Sequence, residues 1–165
     1  MRLTGFVAVV ALSAACATTP SPVVPVAGTP ADVSTLVGNW TGEYRSVETG
    51  RSGSIVFKLD AGTDTARGDI VMVSREPGMS QNDAVHIAMT RQAANQVLTI
   101  RFVRISGATV SGAIDPYQSP DCSCQLVTVF RGELKGNRME GTFRTMQSGA
   151  DLPTQQGTWS ATRTR

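Results

Sequence analysis

The side chains best suited to chemistry in this chain of 165 residues are one histidine and three cysteines. His86 is the only histidine, so the chain by itself holds no two-histidine metal site and no two-histidine proton relay. In the alternation of its segment, His86 faces away from Val85, Ile87 and Met89, which predicts an exposed position on a strand. The sequence contains no Gly-x-Ser-x-Gly elbow, phosphate-binding loop or dinucleotide fingerprint. We therefore expect no catalytic residue, no metal, no cofactor and no enzymatic activity.

The charge of the chain is nearly balanced, with a net charge of +2. A protein that binds nucleic acid through electrostatics needs basic residues clustered on one face. The arginines of the second half of the chain are instead dispersed over several predicted strands. They are Arg101, Arg104, Arg131, Arg138 and Arg144. A nucleic-acid partner is therefore not expected.

The first 15 residues have the organisation of an export signal. Arg2 supplies a positive charge, residues 6–12 form an apolar run, and small residues precede Cys16. The apolar run is far shorter than the roughly 20 residues of a membrane-spanning helix. The segment resembles the signal peptide and lipobox of bacterial lipoproteins, with Ser13 where that motif prefers an aliphatic residue. The alternative is an ordinary secretory leader that is cut after residue 15.

The resemblance to lipoproteins implies that Cys16 is acylated and becomes the mature N-terminus. Such a chain is anchored to a membrane by its lipid and does not span it. Ala17 stands where an aspartate often retains these proteins in the inner membrane, so the resemblance implies an outer-membrane location. A secreted or periplasmic protein is the alternative.

The sequence thus predicts three regions: a signal peptide over 1–15, a lipidated cysteine with a proline-rich linker over 16–37, and a folded domain over 38–165. Prolines between residues 20 and 30 are expected to keep the segment 17–31 out of helices and central strands. Residues 32–37 are expected to form a short helical turn that caps the domain.

Cys122 and Cys124 form a pair separated by a single residue. With Cys16 acylated, these two thiols remain in an oxidising compartment, where a disulfide is one interpretation. A turn after Pro120 suits such a small ring better than a flat strand does. A copper(I) site on two thiolates with a nearby methionine, a reducible redox-active bond, and two free or intermolecular thiols are the alternatives.

From Gly38 onward the sequence alternates short apolar strands with turns, and no amphipathic helix separates them. The predicted strands are 38–47, 54–59, 68–74, 85–90, 98–103, 110–114, 126–132, 138–144 and 157–162. Parallel crossovers usually need a helix, so we predict an all-β, antiparallel up-and-down meander of about eight or nine strands. Gly-x-Trp occurs in the first and last predicted strands, which indicates that the two ends of the sheet meet. Glycines within the strands, at 42, 112, 132 and 141, favour the coiling that a small closed barrel requires.

This pattern resembles the lipocalin-like or calycin barrels, with Gly-x-Trp on the first strand and hairpins throughout. Alternation predicts that one set of large apolar side chains points into the barrel. This set comprises Trp40, Tyr44, Phe57, Ile87, Phe102, Phe143 and Trp159. The pattern does not determine which face of the strand 126–132 points into the barrel, because its two sets of side chains are equally apolar.

The predicted function is therefore that of a membrane-anchored, non-enzymatic module that binds a small apolar ligand inside the barrel. The alternative is a filled barrel that serves as a structural or protein-interaction platform in the cell envelope, since barrels of about eight strands are often filled by side chains.

Overall fold

The structure is a computed structural model and describes residues 22–73, 96–119, 122, 124–150 and 153–164. Within these ranges it contains nine strands and one short helix. They are β1 (Val23–Ala27), α1 (Pro30–Ser34), β2 (Gly38–Ser46), β3 (Ser52–Leu59), β4 (Thr65–Val73), β5 (Gln96–Ser106), β6 (Thr109–Gln118), β7 (Gln125–Lys135), β8 (Arg138–Gln147) and β9 (Pro153–Thr164). The predicted all-β architecture is confirmed.

Strands β2 to β9 form an antiparallel meander in which each strand pairs with the next, and β9 returns to pair with β2. The β2–β9 ladder is regular, from Asn39 opposite Thr164 to Ser46 opposite Gly157. The two Gly-x-Trp strands therefore close the barrel by pairing with each other, as their repeated pattern predicts.

Strand β1 contradicts the expectation that prolines keep the segment 17–31 out of helices and central strands. Its residues pair antiparallel with the start of β4 and parallel with Val103 and Arg104 of β5. β1 fills a gap, because β4 and β5 pair directly only over 69–72 and 96–99. Val24 and Val26 are buried, whereas Pro25 is exposed between them. A strand of five residues tolerates one missing N–H donor when two valines gain burial in return.

The predicted fourth strand, 85–90, lies outside the described residues, as do His86 and Ile87. The ninth strand of the described barrel is β1 and not this segment. The remaining eight predicted strands correspond to β2–β9, most of which extend several residues beyond the predicted bounds.

Helix α1 covers one end of the barrel. Thr29 caps it by accepting a hydrogen bond from the Asp32 N–H at 3.2 Å, and Pro30 occupies its first turn, where no N–H donor is needed. Val33 and Leu36 are buried against the barrel interior. The predicted helical turn that caps the domain is confirmed. Helix α1 starts at residue 30, two residues before the predicted segment 32–37.

The two ends of the barrel differ in their connections. The helix end carries α1 and the short hairpin turns after β3, β5 and β7. The loop end carries the connections after β2, β6 and β8; β4 ends there and β5 begins there. The predicted dispersed arginines, from Arg101 to Arg144, are all exposed on outer faces of the strands.

Candidate functional site: an apolar cavity with a polar end

Four of the seven side chains predicted to line the interior surround one cavity in the barrel. Tyr44 and Phe57 reach it from β2 and β3, and Phe143 and Trp159 reach it from β8 and β9. Trp40 is fully buried at the helix end and fills the barrel there without lining the cavity. Ile87 lies outside the described residues.

The prediction that Phe102 points inward is wrong. Leu98 and Ile100 face the interior, but the register of β5 against β6 shifts between Ile100 and Phe102. A bulge adds one residue, so the alternation of inward and outward side chains reverses beyond it. Val103 and Ile105 are buried in consequence, and Phe102 is 38% exposed on the outer surface.

The aromatic rings of the interior lie over glycines of neighbouring strands. A Cβ at Gly132 would lie 2.6 Å from the Trp159 ring, and a Cβ at Gly112 would meet the Phe130 ring. Neither glycine has a positive φ, so the backbone does not require glycine for its conformation. These strand glycines provide room for large side chains in a narrow barrel, in addition to the flexibility that the sequence pattern predicts.

The rings also contact one another edge to face. Tyr44 and Phe143 have centroids 5.8 Å apart at 87°, and Phe130 and Trp159 have centroids 5.7 Å apart at 78°. This geometry is the favoured one for aromatic pairs. The indole N–H of Trp159 donates to the Thr142 carbonyl oxygen at 3.2 Å, so its polar atom is satisfied away from the cavity. The aromatic wall is therefore fixed by packing and by one hydrogen bond.

The cavity leaves about 90 Å³ for the centres of water-sized molecules, and nearly all of its lining surface is apolar. One water requires about 10–15 Å³ on this measure, so the space suits several waters or one small organic molecule. Its apolar part is lined by Leu36, Ile55, Phe57, Ile70, Met72, Leu98, Ile100, Val103, Val110, Ile114, Phe130, Met139, Phe143, Trp159 and Ala161. The barrel is thus filled at the helix end and hollow in its middle.

The polar side chains of the cavity are concentrated at the loop end. They are Tyr44, Ser46, Arg51, Tyr117, Thr128, Thr145 and Gln155. Three of them form a row across β6, β7 and β8: the hydroxyl oxygens of Tyr117 and Thr128 are 3.2 Å apart, and those of Thr128 and Thr145 are 2.7 Å apart. These hydroxyl groups satisfy one another, because each can both donate and accept.

Tyr44 differs from this row. Its hydroxyl oxygen is buried and has no hydrogen-bond partner among the described residues. Burial raises the pKa of Tyr44 well above its ordinary value of 10.0; the Tyr117 phenol adds to the rise, and the positive charge of Arg51 opposes it. The phenol is therefore neutral at physiological pH and is a hydrogen-bond donor without an acceptor. Since an unsatisfied buried hydroxyl is costly, this group calls for an explanation.

Within the described ranges, no three side chains of the His, Cys, Asp and Glu types come together in a way that could hold a metal ion. Arg51 is the one charged side chain of the described cavity lining, which includes no carboxylate.

Cys122 and Cys124 are joined by a disulfide at the loop end, with their Cα atoms 5.2 Å apart. This distance is within the usual range for a disulfide. Beside it, the Ser119 N–H donates to the carbonyl oxygen of Cys124 at 2.9 Å, which closes the connection between β6 and β7. The disulfide and this hydrogen bond together stabilise the loop.

The sequence interpretation missed most of the polar end. Tyr117 lies in the loop expected between the predicted strands 110–114 and 126–132, but β6 continues to residue 118 past a register irregularity after Ile114. Thr128 and Phe130 lie on the strand 126–132, whose inward face the sequence pattern does not determine, and both line the cavity. Arg51 lies in the turn expected between the predicted strands 38–47 and 54–59, and no strand pattern indicates that it lines the interior.

No protein-family model matches the sequence, and no curated protein sequence matches it significantly. Among solved structures, the chain is similar to the crystal structure of rhizavidin, with 14% sequence identity and a TM-score of 0.38. The match covers 76% of this chain and 84% of that one. Similarity at this level carries no conclusion about the ligand or the activity of this chain.

Among the described residues, no helix is long and apolar enough to span a membrane.

Proposed function

We propose that the barrel is a binding module for one small, mostly apolar molecule, which occupies the cavity between the helix end and the loop end. The observation that carries this proposal is an interior space of about 90 Å³ with an almost wholly apolar lining. Apolar cavities in proteins tend to stay dry and to accept apolar guests. Binding sites are typically concave and mostly apolar, with a few polar groups placed to orient the ligand.

The packing of the barrel explains why this space does not collapse. Every strand from β2 to β9 is hydrogen-bonded on both sides, and the helix end is filled by fully buried Leu36, Trp40 and Leu59. A closed ladder cannot shrink in diameter without breaking pairs of strands, so a void in its middle persists. A ligand would gain the contacts that the lining side chains lack.

The proposal is tested by titrating the purified domain with N-phenyl-1-naphthylamine, a neutral apolar dye that fluoresces in apolar surroundings. We expect saturable binding of one dye per chain, with energy transfer from tryptophan because Trp159 lines the cavity. A linear increase without saturation would indicate surface adsorption and would contradict an interior site. It would then favour the filled barrel as an interaction platform.

We further propose that the module is a lipoprotein acylated at Cys16 and held at the outer membrane. The pattern of the leader supports this proposal. Because β1 starts at Val23, only the six residues 17–22 separate Cys16 from the barrel, and seven virtual bonds span at most about 25 Å. The tether is therefore much shorter than a linker that runs to residue 37, and the barrel would lie close to the membrane.

The intact mass of the membrane-extracted protein tests this anchor. We expect a diacyl or triacyl increment that is absent from a Cys16→Ser variant. An unacylated chain cut at another position would contradict the anchor and leave a secreted barrel. Mass spectra recorded with and without reductant also test the disulfide, because its reduction should raise the mass of the protein by about two daltons.

A further inference from the structure

The register of the strands gathers three arginines on one outer face of the barrel, although they are dispersed in the sequence. Arg104 of β5 lies opposite Ser111 of β6, and Ser111 lies opposite Arg131 of β7, so both arginines stand in one row. In the adjacent row of outward side chains, Arg144 of β8 lies opposite Val129 of β7. All three arginines are exposed. The outer face of β5 to β8 is therefore basic.

Apolar side chains occupy the same face between these arginines. Phe102 of β5 lies opposite Ala113 of β6, which lies opposite Val129 of β7. Phe102 and Val129 are 38% and 39% exposed, and Ala113 between them is buried. The parallel register of β1 against β5 extends this row to Pro25, and Val23 faces the same side of β1. We call the outer surface formed by these apolar residues and the three arginines the basic apolar face.

Carboxylates on this side of the barrel do not neutralise the three arginines. Asp115 lies 4.0 Å from Arg101, and Glu133 lies 3.4 Å from Lys135. Among the described residues, no ion pair or side-chain hydrogen bond involves any of the three arginines of the face. Their charge is thus available to an anionic partner.

A lipid bilayer with anionic head groups matches both properties of this face. At a bilayer surface, apolar side chains enter the boundary between head groups and acyl chains, and arginines bind the phosphates above it with their aliphatic stems along the apolar region. A nucleic acid would also engage the arginines, but its bases stack on aromatic rings and would leave the valines of the face without a partner. The combination of valines with arginines therefore favours a bilayer.

The position of β1 brings the chain into the barrel wall at this face. β1 lies between β4 and β5 and starts at Val23. A lipid on Cys16 would lie at most about 25 Å from Val23, because seven virtual bonds separate the two residues. The proposed anchor would therefore hold the side of β1 and β5 nearest to the membrane.

We propose that the basic apolar face lies against the surface of an anionic lipid bilayer, with Phe102 and Val129 at the boundary between head groups and acyl chains and the three arginines on lipid phosphates. This inference goes beyond the interior ligand site. It agrees with an anchor at Cys16 but uses only described residues, so the unacylated chain tests it independently of the anchor.

The test measures how the unacylated chain of residues 17–165 sediments with lipid vesicles. This chain retains every described strand and α1. The vesicles contain phosphatidylcholine alone or with about 30% phosphatidylglycerol. At low salt we expect at least about tenfold stronger partitioning into the anionic vesicles, because each arginine near such a surface contributes about fivefold. Raising the salt to about 0.5 M should remove most of this difference, because salt screens exposed charges.

Equal partitioning into the two kinds of vesicle, or none into either, would overturn the proposal. It would leave the interior site untouched, because the dye titration tests that site separately. Binding to single-stranded DNA without binding to vesicles would assign the face to a nucleic acid and would also overturn the proposal.

Paired substitutions of equal charge locate the contact. Arg104→Gln combined with Arg131→Gln removes two charges from the face and should weaken partitioning into anionic vesicles at least about tenfold. The matched control, Arg45→Gln combined with Lys58→Gln, removes two exposed charges from β2 and β3 on the opposite side of the barrel and should leave partitioning within about twofold. Equal losses for the two pairs would show that net charge drives the binding and that the proposal is wrong.

A second comparison tests the apolar contact. Phe102→Ser should weaken partitioning about fivefold, because it removes apolar surface from the contact with the bilayer. Val56→Ser on the outer face of β3, where Val56 is 46% exposed, should change it less than about twofold. Circular dichroism verifies the folding of all variants. Unchanged partitioning of a folded Phe102→Ser variant would contradict the proposed orientation of the barrel on the bilayer.

Discussion

The indole N–H of Trp40 donates to the carbonyl oxygen of Leu36, four residues earlier in the chain, at 2.8 Å, and both residues are 0% exposed. Trp40 lies on β2, and Leu36 ends the turn after α1. The bond therefore fastens the covering segment to the barrel wall. Arg163 adds to the seal, because its guanidinium lies 4.6 Å from the centroid of the Trp40 ring and donates to the Thr35 carbonyl oxygen.

The substitution Trp40→Phe should destabilise the fold by about 2–4 kcal/mol, because it leaves the buried Leu36 carbonyl oxygen without a partner and opens a cavity. Chemical denaturation followed by circular dichroism measures the free energy of unfolding. The control is Phe102→Leu on the exposed outer face, which should change it by less than about 0.5 kcal/mol. Equal changes in the free energy of unfolding for the two substitutions would contradict the claim that Trp40 fastens the covering segment to the barrel wall.

The two tyrosines of the cavity should respond oppositely to loss of their hydroxyl groups. Tyr44→Phe removes an unsatisfied buried group, so the ligand-free protein should be unchanged or more stable by up to about 1 kcal/mol. Tyr117→Phe removes a partner of Thr128 and should lower the stability by about 1 kcal/mol. Urea denaturation of both variants gives the comparison. A clear loss of stability in Tyr44→Phe would show that its hydroxyl has a partner in the protein.

Alkaline pH should destabilise the protein partly through Tyr44. Its pKa in the folded state is raised above its ordinary value, so the folded protein holds the proton more tightly than the unfolded chain does. The contribution to stability is fully present below pH 10 and is lost as the pH rises through the folded pKa. We expect the free energy of unfolding to fall more steeply between pH 9.5 and 11 in the native protein than in Tyr44→Phe. Parallel curves would contradict the burial of this phenol.

A strand glycine that packs against an aromatic ring should not tolerate replacement by a residue with a side chain. In Gly157→Val, the new Cβ would meet the carbonyl oxygen of Arg45 and lie 2.5 Å from the Phe143 ring. We expect a loss of at least about 3 kcal/mol, or no folding, because the neighbouring backbone must shift. The adjacent Thr158→Val faces outward and serves as the control. Thermal unfolding distinguishes them, and similar midpoints would show that the barrel has room at residue 157.

The sequence predicted the parts of the fold that depend on local alternation. Strands β2 to β9, their antiparallel order and the closure between the two Gly-x-Trp strands all follow from apolar residues spaced two apart and from turn residues between them. Four of the predicted inward side chains line the cavity for the same reason. Trp40 also points inward but is used to fill the helix end.

The errors arose where a single local feature overrides the alternation. Pro25 interrupts the pattern of the inward pair Val24 and Val26, so the sequence predicts a linker where β1 forms. The bulge before Phe102 reversed the faces of β5, and no residue type in that strand announces it.

The polar end was not predictable from local sequence either. Thr128 and Thr145 meet only through the register of β7 against β8, and Arg51 reaches the cavity from a turn. Contacts of this kind depend on which residues of distant strands lie opposite each other, and a single sequence does not specify that register.

The most direct test of the interior site is a pair of substitutions on one strand. Ile100→Phe adds a ring inside the cavity, and Val97→Phe adds the same ring on the outer face, where Val97 is 58% exposed. With folding of both variants verified by circular dichroism, we expect Ile100→Phe to weaken binding of N-phenyl-1-naphthylamine at least about tenfold and Val97→Phe to leave it within about twofold. Unchanged binding in Ile100→Phe, or equal loss in both variants, would contradict a ligand site inside the barrel.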